Sequence, residues 1–146
     1  MAKHELLRII HRDLEGEKVA TAISDFAGKT IGDGESLQMA ARNLPRRYQN
    51  VIAVCVEVAT VPTDGDLEVT LYVGKAADKL STIPVDTRII PKGSGSDVIV
   101  CWCFVAMPEW YAVKITNESG TADDNAVITS VGIYELHNVE GDATDE

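Results

Sequence analysis

Residues 97–106 read DVIVCWCFVA, the most apolar ten-residue stretch in the chain. In an extended strand Val98, Val100, Trp102 and Phe104 share one face, and Ile99, Cys101, Cys103 and Val105 share the other. A strand apolar on both faces has no side to give to water. The pattern therefore predicts the central strand of a sheet covered on both sides, with the rest of the chain wrapped around it as a β-sandwich.

The flanking sequence repeats the two-residue period. Residues 51–61, VIAVCVEVATV, are β-branched and apolar on both faces, which predicts a second buried strand. After a Pro-Thr-Asp-Gly-Asp turn at 62–66, Leu67, Val69, Leu71 and Val73 alternate with Glu68, Thr70 and Tyr72, a strand with one wet face. Ile83, Val85, Ile89 and Ile90, interrupted by Pro84, suit an edge strand or a broken one. Tyr111, Val113 and Ile115 point inward from 110–116, the polar stretch 117–125 turns the chain, and 126–136 is a last strand. Residues 36–41 supply the first. Such spacing, roughly one strand per 12 residues, fits an all-β, antiparallel β-sandwich of jelly-roll-like type. It leaves no room for the helices of a parallel α/β fold.

Before this body, residues 1–35 read as an N-terminal arm. Within it KHELLRIIHRDL at 3–14 places Leu6, Leu7, Ile9, Ile10 and Leu14 at the spacing of a short amphipathic helix, or over so few residues a strand. From residue 15 to 36 the pattern fades and Gly28, Gly32 and Gly34 appear. Long aperiodic stretches in small domains usually serve an external contact. The body then spans 36–136, and an acidic tail, 137–146, is expected to be disordered.

At 146 residues the chain is one domain with a core of its own, and its net charge of −10 excludes sequence-independent affinity for nucleic acid or an anionic membrane. The charge is uneven. Residues 1–50 hold eight Lys and Arg against seven Asp and Glu, whereas 51–146 hold five against sixteen. The body is acidic and the N-terminal third nearly neutral. No continuous apolar segment opens the chain, and the run 98–107 is far short of the ~20 residues of a spanning helix. Three cysteines, an odd number, argue against a secreted disulfide framework and for a reducing cytosol. The Asn117-Glu118-Ser119 sequon carries no weight without a secretion signal.

No catalytic motif survives inspection. Ala27-Gly28-Lys29-Thr30 resembles the end of a phosphate-binding loop, but Ile23 stands where the motif needs glycine, so a glycine turn explains it better. Cys55, Cys101 and Cys103 lack the spacing of a zinc knuckle, and core packing accounts for them. Asp64 with Asp66, and Asp123 and Asp124 with Asn125, fall short of a calcium loop and read as turn chemistry. His4, His11 and His137 sit at the two ends with no nucleophile motif near them. The expectation is no enzyme, no cofactor and no metal. For sugar stacking Tyr72 is the best exposed aromatic and Trp102 belongs to the core. The stripe Leu6, Leu7, Ile9 and Ile10 fits equally a partner-binding face and a helix lying on the chain's own sandwich.

Residues 110–135, WYAVKITNESGTADDNAVITSVGIYE, resemble the closing hairpin of β-sandwich proteins from tailed-phage virions. There an aromatic strand ends in a T-N-x-S-G turn, and a strand with small residues between β-branched ones follows. An acidic body with an N-terminal arm is similar to head decoration (cement) proteins, which commonly sit as trimers at lattice junctions and bridge capsomers. The resemblance implies a virion structural protein on the capsid surface, made in the host cytoplasm, with the major capsid protein as partner and a homo-oligomer, a trimer, as its state. Leu6, Leu7, Ile9 and Ile10 would supply apolar contact, and Arg42, Arg46 and Arg47, the basic cluster, would pair with acidic rims. The alternative is a carbohydrate-binding or receptor-binding sandwich module, tail-associated in a phage; a hydrolase with a dispersed carboxylate pair ranks last.

Overall fold

The computed structural model describes residues 20–43, 51–105 and 110–136. Ten strands among them form two antiparallel sheets packed as a sandwich. Sheet I runs in the order β1 (Ala20–Ala22), β10 (Ala126–Leu136), β5 (Val51–Thr60) and β8 (Ser96–Val105), with β2 (Thr30–Ile31) also on β10. Sheet II runs β3 (Ser36–Gln38), β9 (Trp110–Asn117), β6 (Leu67–Gly74) and β7 (Asp86–Ile90), with β4 (Arg42–Asn43) on β9.

The alternation read from the sequence sets the core. Ile52, Val54, Val56 and Val58 of β5 face Leu67, Val69 and Leu71 of β6 across the sheets, with Tyr111, Val113 and Ile115 of β9 beside them, all buried. Each such side chain contributes about 1.5–3 kcal/mol by leaving water. Two strands of sheet I are hydrogen-bonded on both sides, β5 between β10 and β8, and β10 between β5 and the short strands β1 and β2.

The stretch 97–106 is not the central strand. β8 pairs only with β5 among the described residues and forms the rim of sheet I. Its inner residues Val98, Val100 and Trp102 pack against the core and Phe104 is buried in it, whereas Ile99 is 65 % and Val105 61 % exposed on the outer face. Apolarity on both faces marked the stretch as a strand, although its outer face is exposed. It did not fix the strand's place in the sheet order, which is the edge.

Residues 20–35, assigned from sequence to the arm, belong to the sandwich. Ala20, Thr21 and Ala22 pair with Tyr134, Ile133 and Gly132, and Thr30 and Ile31 pair with Val127 and Ala126. Between them the chain loops over the open side of the two sheets and inserts Phe26, fully buried, with Ile23 and Ile31 around it. Backbone bonds from Ile23 N to Val131 O and Gly28 N to Thr129 O tie the loop to β10, and Asp25 accepts the Ala40 amide at 2.7 Å across to sheet II. Gly28 takes the turn with φ of 67°. On the opposite side the sheets close through Arg88 of β7, whose guanidinium lies 5.1 Å from the Phe104 ring centroid and pairs with Asp86. The expected helix within 3–14 and the tail at 137–146 lie outside the described residues.

Candidate functional site

Strand direction sorts every connection to one of two poles. β5 ends, and β8 and β10 begin, where Thr60 meets Ser96 and Val127; β6 begins there where Leu67 meets Asn117 and Ile90. The loops at this first pole are bound to one another by side chains. Asp124, half-buried, accepts from Thr63 N at 2.9 Å, Asp64 N at 2.8 Å and the Ser119 hydroxyl at 2.6 Å. Its carboxyl is lowered from 3.8 to about 2, first by the Ser119 hydroxyl and then by the Thr63 amide, which favour the charged form against the desolvation that opposes it. Asp66 takes the Lys92 amide at 2.8 Å, Asp33 the Asp123 amide at 3.2 Å, and buried Asn117 donates to Ile31 O and Asp124 O. The acidic turns thus spend their oxygens on backbone amides, and Asn117 of the sequon is a core residue of this knot. With Glu118 and Asp64 nearby, this pole is negative and rigid.

The second pole gathers the other connections. The chain enters β1, passes from β4 to β5 and from β8 to β9, and leaves β10 here, so the segments 1–19, 44–50, 106–109 and 137–146 all connect at one end of the body. Of the sequence-predicted contact residues, Arg42 is among the described ones. Arg42 lies in β4, opposite Tyr111, and its Nε donates to the Tyr111 hydroxyl at 3.2 Å, which positions the guanidinium beside the pole. Leu6, Leu7, Ile9, Ile10, Arg46 and Arg47 lie outside the described residues. The structure adds residues that sequence reading missed. Ile83 is 74 % and Val85 52 % exposed on the segment that leads from β6 to β7, with Lys75 and Lys79 exposed just before them. Two β-branched apolar residues flanking Pro84 were the available signal; read as strand, they were placed in the sheet.

The three cysteines are not core packing. Cys55 of β5 and Cys101 of β8 are register partners and form a disulfide, and Cys103 is exposed as a free thiol. All three point to the outer face of sheet I. On the outer face of sheet II, Tyr72 is half-buried and the Lys114 ammonium lies 5.3 Å from its ring centroid, where a sugar ring would have to compete with it. Two grooves, about 460 and 290 Å³, each hold a single carboxylate, Glu35 and Asp25. Each is already committed to a backbone amide, of Gly32 and Ala40 respectively.

No protein-family model matches the chain, and no curated protein matches its sequence significantly. Among solved structures it is similar to the CBM22-1–GH10 modules of the Clostridium thermocellum endo-1,4-β-D-xylanase 10B in complex with xylohexaose, with a TM-score of 0.52 at 11 % identity over 82 % of this chain and 25 % of that one. It is also similar to the VP2 subviral particle of infectious bursal disease virus, with a TM-score of 0.49 at 14 % identity over 82 % of this chain. The chain spans about a third of the length of VP2 and a quarter of that of the xylanase chain. At these identities the likeness is one of fold, and the chain is a two-sheet antiparallel β-sandwich.

Proposed function

We propose that the chain is a non-catalytic structural protein that decorates or stabilises a viral capsid, standing on it by the pole from which 1–19 and 44–50 depart. The observation that carries this reading is the unlike chemistry of the two ends. One is a carboxylate-rich, tightly bonded cap suited to water. The other carries exposed Ile83 and Val85, with exposed Lys75, Asp78 and Lys79 on the same connection and Arg42 of β4 at the same end. Apolar groups with lysines beside them suit a protein rim that carries carboxylates, and the lysines give register and a faster encounter more than raw affinity. A homotrimer bridging capsomers, with the major capsid protein as partner, is the form the sequence resemblance suggests, and the compact body gives it a rigid post.

The test is cryo-EM of purified particles from the producing cells, with co-sedimentation of the chain on particles stripped of it. The chain is expected on the outer capsid surface, second pole inward. The double variant Ile83→Asp with Val85→Asp should bind at least about tenfold more weakly, since two desolvated apolar contacts are worth several kcal/mol. Absence of the chain from purified particles overturns the reading. A second reading, carbohydrate binding, rests on Tyr72 and Trp110, which lie on neighbouring strands of sheet II near the same end. Quenching of tryptophan fluorescence by neutral oligosaccharides, abolished by Tyr72→Ala, would favour it instead.

A further inference from the structure

Four rims bound the two sheets, and three of them are blunted. One is β1 with β2 and another β3 with β4, pieces of two or three residues; β7 has five, carries the Arg88–Asp86 ion pair and follows Pro84. β8 runs ten residues, pairs with β5 alone among the described residues, and holds neither charge nor proline from Val98 to Val105. Asp97, with φ of 55°, interrupts it only at its start. The direction of its backbone groups follows from its neighbours. Ile23 N donates to Val131 O, so Val131 and Ile133 of β10 turn their amides and carbonyls to β1, and Gly132 turns its own to Cys55 of β5. Cys55 therefore bonds away from Cys101, and by alternation Ile99, Cys101, Cys103 and Val105 aim their N–H and C=O groups at the open rim. A long apolar rim with its backbone groups unspent is a template for another strand.

We infer that this other strand is β8 of a second copy, paired antiparallel about a two-fold axis at Trp102. Groups that point outward must meet groups that point outward, so odd-numbered residues pair with odd-numbered ones. Ile99 and Val105 stand at equal distances to either side of Trp102 and are 65 % and 61 % exposed. An axis there sets Ile99 beside Val105 of the partner subunit, and the reverse, so the most exposed apolar side chains of β8 cover one another. About eight backbone hydrogen bonds join the two strands in this register. An axis at Cys101, by contrast, sets Val105 beside Asp97 of the partner subunit. Charge also permits a second copy of this acidic chain. Glu57 is exposed opposite Ile99, one strand in from the rim, and accepts from the Ser130 hydroxyl at 3.1 Å. The offset of the two copies keeps this carboxylate roughly 24 Å from its mate, well past the screening length of about 8 Å. The inference concerns the free chain and does not rest on capsid decoration.

Sedimentation velocity of the full chain tests the pairing. One strand against one is a small contact, so the mass should rise from monomer to dimer between about 1 and about 500 µM. Ile99→Pro removes an outward amide and no bond to β5, so it should raise the dimer dissociation constant at least tenfold while far-UV circular dichroism keeps the β signature of the body. Ile99→Lys alone should weaken the dimer as much. Ile99→Lys with Val105→Glu, which sets opposite charges side by side across the axis, should restore it to within about threefold of the parent. A monomer throughout that range, a trimer as the associated species, or a dimer indifferent to Ile99→Pro overturns the inference. Failure of the double variant to restore the dimer overturns the axis at Trp102. Absence of the chain from purified particles, which overturns capsid decoration, leaves the dimer standing.

Discussion

Asp124 shows how much of one pole hangs on a single carboxylate. It receives two backbone amides and two hydroxyls from Thr63, Asp64 and Ser119, and each bond is stronger to the ionised form. Because its folded pKa, about 2, lies below the ordinary 3.8, the stability it contributes is complete above about pH 4 and is lost as pH falls through 3.8 toward 2. Asp124→Asn should therefore be less stable than the parent at pH 7, and the gap should narrow between pH 4 and pH 2, as read by denaturant midpoints at each pH. Phe26 tests a different contribution. It is fully buried in a loop that carries no two-residue period, and Phe26→Ala should cost about 3–5 kcal/mol, far more than a side chain of an external arm would. The sequence could not announce this. Periodicity detects regular elements, and Ile23, Phe26 and Ile31 enter the core from a loop and a two-residue strand that have no period to detect.

Among elements, β5 and β8 were both readable as strands, and their ranks within the sheet were not. Both are apolar on two faces; β5 has two strand neighbours, and β8 has one. Which of them sits at the rim depends on where β1 and β10 pair, and that is decided over more than a hundred residues of chain. The cysteines followed the same logic. Cys55 and Cys101 are 46 residues apart, and only the β5–β8 register brings them face to face. Closing a loop of that length stabilises by roughly 2–4 kcal/mol in the chain-entropy account. Reductant should accordingly lower the denaturant midpoint of the parent, and Cys103→Ser should leave both midpoints where they were. By contrast β6, β7 and β9 were legible in place, since alternation with a wet face and a proline-broken edge are local signals.

For the molecule as a whole, the described acidic turns are concentrated at one end of the sandwich. The acidic turns gather at the end where Leu67, Asn117 and Ile90 meet, and exposed Ile83 and Val85 lie at the other. The sequence proposed contact residues through composition alone; it could not show that 1–19 and 44–50 join the body at the same end, because that follows from strand direction. The same geometry bears on how the chain can be rewired. The body starts at Ala20 and closes at β10 as adjacent strands, in register at Tyr134, so its two ends lie side by side. Joining them through a short linker and opening the chain instead at the first pole, between Gly93 and Gly95, cuts no strand. Both glycines have positive φ and open space around them. Such a circular permutant should fold with the parent's circular dichroism and a thermal midpoint within a few degrees. It would also reverse the molecule's presentation: a fused enzyme or epitope would be carried on the acidic pole rather than at the end where Ala20 and Tyr134 pair.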